Sequence, residues 1–173
     1  MERPGKRSVK QRFYFCPKCG GELQYRDYED IGRLTCMSCG YIFYENPVVG
    51  IAGILLNDKN EIFLGRRKNG VYAGKWCIPC GYVEYHEDIR DGLRREFMEE
   101  TGLDIEITGI AAVQSNFHDS ENHTVGIWFH VRSLKGHIRA GDDLDMLCFF
   151  NLHEIPEMAF PTDIEVIKML RES

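Results

Sequence analysis

The segment "EDIRDGLRREFMEETG", residues 87–102, constrains this chain more than any other. It reads as a strong helix, opened by Asp88 as N-cap and closed by Gly102 just past its C-terminus. Within it Glu96, Glu99 and Glu100 stand at i, i+3 and i+4, so three carboxylates share one face. Like charges so placed repel and cost stability unless a cation compensates. Magnesium and manganese compensate well, because hard divalent cations prefer oxygen ligands. Arg95 adjoins the cluster and can hold a carboxylate by bidentate hydrogen bonding, and Glu87 lies near the helix start. Taken alone, such a triplet also reads as a solvated acidic face.

The N-terminal part carries a second signal. Cys16, Cys19, Cys36 and Cys39 form C-x2-C-x16-C-x2-C, each pair followed by a glycine, Gly20 or Gly40, that permits a tight turn. Four soft ligands in two such knuckles suit Zn2+ in a closed tetrahedral site. So short a module buries little core, and the metal would supply most of its folding energy. Residues 13–44 are therefore read as a zinc ribbon, with the polar, turn-prone "QYRDYEDIGR" between the knuckles. Residues 1–12, with five basic side chains and one acid, read as a solvated tail.

Net charge is −6, which excludes a generic nucleic-acid or anionic-membrane binder. No apolar run approaches the ~20 residues of a membrane span, and no signal-peptide core follows Met1. Seven cysteines, four of them in close pairs, favour a reducing compartment, so a cytoplasmic protein is expected.

From residue 45 onward the pattern is mixed. "VVGIAGILL" suits a buried strand, "NDKN" a turn and "EIFLGRR" the return strand of a hairpin. "IEITGIAAVQSNF", "HTVGIWFHVRSL" and "DMLCFFNL" are strand-like, the second placing Val125, Ile127, Phe129 and Val131 on one face. "TDIEVIKMLRE" reads as an amphipathic helix with a Thr162-x-x-Glu165 capping box.

Residues 81–103, "GYVEYHEDIRDGLRREFMEETGL", resemble the Nudix box at Gly81, Glu87, Arg95, Glu96, Phe97, Glu99, Glu100, Gly102 and Leu103. Phe97 departs mildly, since an aliphatic residue is more usual there. The resemblance extends over residues 45–173. It implies an α/β fold, the Nudix α/β/α sandwich with a mixed sheet, preceded here by the small zinc-ribbon module. It further implies hydrolysis of a nucleoside diphosphate linked to another group by a metal-activated water. By position, Glu96 and Glu100 are the expected Mg2+ or Mn2+ ligands, with the Gly81 carbonyl a further one. Glu99 is a ligand or the general base, and Arg95 and Glu87 orient the set. Asp119, Glu121, Asp142, Asp143 and Asp145 are base candidates outside the box.

A cysteine ribbon ahead of a Nudix domain is similar to NADH pyrophosphatases, yet "AAVQSNFHDS" has nothing like their Ser-Gln-Pro-Trp-Pro-Phe-Pro stretch. "CGYIFYENP", "GKWCIPCGYVE" and "EIPEMAFPTD" instead resemble a ribbon-bearing group acting on ADP-ribose and FAD. A small nucleotide with an adenine ring is thus the expected substrate, with Tyr72 and Phe160 as stacking candidates and Arg66 and Arg67 as phosphate candidates. NADH hydrolysis, removal of a nucleotide cap from RNA, and ligand sensing by a regulator remain alternatives. The family resemblance allows a homodimer, and no membrane partner is expected. The third Cys-x-x-Cys, Cys77 and Cys80, reads as two buried thiols; in an extended segment they would point to opposite faces.

Overall fold

The computed structural model describes residues 11–28 and 31–172. Most of the basic tail expected at residues 1–12 lies outside them. The chain divides after Asn46 into two compact units.

The first unit holds strands β1 (Leu23–Tyr28), β2 (Ile31–Cys36) and β3 (Ile42–Phe43) in one antiparallel sheet. The polar stretch read as turn-prone is in fact most of the β1–β2 hairpin, with Gln24 opposite Thr35 and Arg26 opposite Arg33. Its strands need little apolar alternation because the unit's core is small and sits at the knuckle end, built from Cys16, Leu23, Leu34 and Cys36. Gly20 and Gly40 adopt left-handed φ values of 73° and 70°, as the knuckle turns require.

The second unit runs β4 (Val48–Leu55), β5 (Glu61–Arg67), β6 (Trp76–Cys77), β7 (Cys80–Tyr82), α1 (Ile89–Thr101), β8 (Leu103–Asn116), β9 (Thr124–Gly136), β10 (Leu144–Asn151) and α2 (Pro161–Glu172). One sheet has the order β7-β4-β9-β8, the other β10-β5-β6. β4 and β9 pair in parallel and the remaining pairs are antiparallel, so the larger sheet is mixed. The apolar run of β4 is explained by its two buried faces. Ile51 and Leu55 join Leu93 and Phe97 of α1, while Ala52 and Ile54 join Val166 and Ile167 of α2. This is the α/β/α sandwich with a mixed sheet that the sequence resemblance implied. No helix among the described residues is long and apolar enough to cross a membrane.

Helix α1 is capped as its sequence predicts. Asp88 accepts a hydrogen bond from the Arg90 amide at 2.9 Å, and Gly102 closes the helix at φ 72°. Phe97, the bulky departure from the box pattern, is accommodated by Gly53, where a Cβ would come within 2.7 Å of its ring.

Two expectations fail. β5 does not return along β4: apart from one isolated bridge, Leu56 with Ile62, it pairs with β10 and β6. Both edges of β4 are already taken by β7 and β9. Nor does Thr162 open α2 as an N-cap. The helix begins one residue earlier at Pro161, whose fixed φ and missing N–H suit the first helical position.

Candidate active site

The charged end of α1 is organised around Arg95. Its Nε and Nη2 reach the two oxygens of Glu87 at 2.8 and 2.9 Å, a bidentate pair. Its Nη1 donates to Glu96 at 2.9 Å and to Glu99 at 3.2 Å, and Nη2 also donates to the Tyr82 carbonyl at 3.2 Å. Arg95 holds Glu87 down at about 2, against burial and with help from the Glu84 amide.

Glu96 and Glu100 behave in the opposite way. Glu100 is buried, and burial first, then the neighbouring Glu96 charge, push it up to about 8, although the Cys80 amide donates to it at 2.9 Å. Burial likewise raises Glu96, opposed by Arg95 and assisted by Glu99 and Asp142. Glycine at 81 leaves the Glu96 carboxylate its place, since a Cβ there would displace it. Two mutually repelling carboxylates beside a bare backbone fit a hard divalent cation. Glu99 is half exposed and lies against Arg95.

The approach to this site, residues 76–81, crosses between the two sheets, with β6 in one and β7 in the other. Ile78 and Pro79 link these strands, and Cys77 is close enough to act on the Cys80 thiol. Cys77 is buried, Cys80 is partly so, and both are free thiols. The neighbouring Cys77 and burial push Cys80 well above the usual thiol range.

A cavity of about 160 Å³ opens beside the box. β4 contributes Gly50 to Ala52, β7 contributes Cys80 to Tyr82, and β9 contributes Gly126 to Trp128. The loop after β8 adds His118, Asp119 and Asn122, and the start of α2 adds Phe160 and Asp163. Three rings meet at one wall. Tyr72 lies edge-on to Phe160 at 5.2 Å and to His118 at 6.1 Å, and His118 is 6.0 Å from Phe160.

A family described as NUDIX domain matches residues 46–170. The chain belongs to the Nudix family. A second family, described as Nudix N-terminal, matches residues 14–45 of the ribbon. An ADP-ribose pyrophosphatase from Methanocaldococcus jannaschii is 36% identical over 121 residues, 69% of this chain and 71% of that one. A Nudix hydrolase from Nitrosomonas europaea, known from its crystal structure, is 32% identical, with a TM-score of 0.80 over 92% of both chains. The NAD-capped RNA hydrolase NudC of Pseudomonas aeruginosa is 24% identical over 149 residues, a match that covers 83% of this chain and 50% of that enzyme. The protein is a Nudix pyrophosphohydrolase with an N-terminal four-cysteine ribbon.

The Nudix domain separates the two arginines that follow one another on β5. Neither lines the cavity, and Arg66 turns to Asp145 of β10, at 2.8 and 3.1 Å. Arg67 is half buried, pairs with Asp143 at 2.8 Å and lies 5.9 Å from the Phe160 ring centre. Burial opposes its charge, but Cys77, Cys80, Asp143 and Glu100 around it more than compensate, and its pKa is raised. Its Nε is buried without a hydrogen-bond partner. Of the base candidates outside the box, Asp119 lines the cavity and is held low by the Glu121 and Asn122 amides and the Asn122 side chain. Asp143 and Asp145 are engaged by Arg67 and Arg66.

In the Nudix N-terminal ribbon, Cys16, Cys19, Cys36 and Cys39 place their sulfurs within 4.8 Å of one another. They form the one group of three or more His, Cys, Asp or Glu residues, among those described, gathered in this way. The Cys39 and Ser38 amides hold Cys36 down at about 6. Cys19, although the Gly21 amide lowers it, is pushed up to about 12 by the Cys39 and Cys36 sulfurs around it. Four sulfurs gathered in a soft tetrad fit a zinc ion. Cys77 and Cys80 stand outside this group.

Sequence reasoning overlooked Asp163. Its Oδ2 accepts from the Ile78 amide and its Oδ1 from Trp128 Nε1, both at 3.0 Å. The local signal, the Thr162-x-x-Glu165 capping box, drew attention to the helix start and away from this long-range role.

Proposed function

We propose that this enzyme hydrolyses the pyrophosphate of an adenine dinucleotide or ADP-sugar, with ADP-ribose and FAD first among the substrates. The observation that carries this reading is one continuous surface: the ring-lined cavity shares Cys80 and Gly81 with the carboxylate site. A base stacked on Tyr72 and Phe160 would leave its phosphates facing the box. The likeness to an ADP-ribose pyrophosphatase supports the same choice.

Glu96 and Glu100 would hold magnesium or manganese, with the Gly81 carbonyl as a further ligand. Such a cation neutralises phosphate charge and lowers the pKa of its bound water. Arg95 and Glu87 keep the carboxylates oriented, and Glu99, exposed beside them, takes the proton of the attacking water. Arg67, 5.9 Å from the Phe160 ring centre, would have to swing out of its buried position to give a phosphate oxygen a donor. The four ribbon cysteines would hold zinc as a structural ion.

A hydrolysis screen with magnesium or manganese tests the assignment across ADP-ribose, FAD, NADH, dinucleoside polyphosphates and NAD-capped RNA. ADP-ribose and FAD are expected to turn over fastest, each releasing AMP. Preference for capped RNA would move the enzyme toward the NudC-like reading. Tight binding of these nucleotides without hydrolysis would favour a ligand sensor.

A further inference from the structure

The segment that brings Cys80 and Gly81 to the box is held almost residue by residue. Trp76 N–H donates to Glu157 O at 2.9 Å, and Trp76 O accepts from the Ala159 amide at 2.7 Å. Pro79 O accepts from the Gly53 amide at 3.0 Å, and Cys80 N–H donates to Glu100 at 2.9 Å. Between these points the Ile78 amide has Asp163 as its acceptor.

We propose that Asp163 is a positioning residue for the divalent-cation site, setting through Ile78 the direction in which the Cys80 amide meets Glu100. The inference rests on the reading of Glu96 and Glu100 as the residues that hold the cation. Two donors from different elements, the Ile78 amide and Trp128 Nε1, converge on one side chain, so both of its oxygens must accept. An asparagine offers one acceptor and one donor, and would turn an N–H toward one of these groups. Asp163 is 2% exposed, and burial pushes its carboxyl up to about 7. A group kept at that cost is expected to do more than close a helix end. Partners that orient metal ligands contribute in this way, by fixing an angle rather than by touching the ion.

The test is Asp163→Asn, measured first by Mn2+ titration followed by electron paramagnetic resonance in the nucleotide-free protein. The dissociation constant for Mn2+ is expected to rise about tenfold or more. With ADP-ribose, turnover should fall at low Mn2+ and recover as Mn2+ is raised, a rescue that general loosening of the fold would not produce. Hydrogen exchange on the unsubstituted protein supplies a second measurement that does not depend on the variant folding. If the Asp163–Ile78 bond favours the cation, the cation must favour that bond, so Mg2+ should protect the Ile78 and Cys80 amides together. Unchanged Mn2+ affinity in Asp163→Asn, or protection of Cys80 without Ile78, overturns the inference. If the unsubstituted protein binds no Mn2+, or Glu100→Gln binds it equally well, the cation-site reading itself fails.

Discussion

Replacing Glu100 by glutamine separates the cost of the site from its use. The glutamine oxygen can still accept the Cys80 amide, so the shape of the box is kept while the buried charge is removed. Glu100 moves from 4.5 in its ordinary state to about 8 in the fold, chiefly through burial. The folded protein therefore keeps a proton that the unfolded chain has released, and metal-free stability falls as pH rises from about 4.5 to about 8. At pH 7, part-way through that window, the loss amounts to roughly 3 kcal/mol, which Glu100→Gln should not suffer. Both tryptophans, Trp76 and Trp128, lie in the Nudix domain, so urea unfolding followed by fluorescence reports that domain alone. Without added divalent cations the variant should be the more stable protein at neutral pH and equal to the parent near about pH 4.5. With Mg2+ the parent should gain stability and the variant should not, while turnover of the variant falls on the order of 10²–10³. Parallel stability curves for the two proteins between about pH 5 and about pH 8 would refute the placement of Glu100 as a strained, buried carboxylate.

Gly81→Ala should leave the fold intact by circular dichroism and lower kcat by roughly 10², because the added Cβ displaces the Glu96 carboxylate. Arg67→Ala should raise KM for ADP-ribose about tenfold or more, as expected for loss of a charge-assisted hydrogen bond, with Mn2+ affinity measured alongside to show that the cation site persists. Cys36→Ser should release the zinc that the unsubstituted protein is expected to hold at one ion per chain, and amide signals of the ribbon should collapse toward unfolded positions. Retained zinc in that variant would remove the four-cysteine assignment.

Signals carried within a few residues are legible in the amino-acid sequence itself. The cap at Asp88, the stop at Gly102, the carboxylates of α1 and the two cysteine knuckles each depend on spacings of two to four residues. The apolar run of β4 showed that it would be buried, though not which strands would flank it. Its expected hairpin with β5 failed for that reason, since strand pairing is decided by competition among distant partners. Similarly, adjacent Arg66 and Arg67 looked equivalent until alternate strand faces sent one to Asp145 and the other toward Phe160 and Glu100.

The sequence alone thus placed the carboxylates of α1 on one face, because a helix of known period orders those side chains without outside help, and its resemblance to the Nudix box pointed to the reaction family. Tertiary structure decided what surrounds them. Asp163 meets Ile78 across 85 residues, and Cys80 meets Glu100 across 20. The cavity needs strands, a loop and a helix start to converge at one place. Such contacts form only once the two sheets and both helices have packed, and no local spacing encodes them.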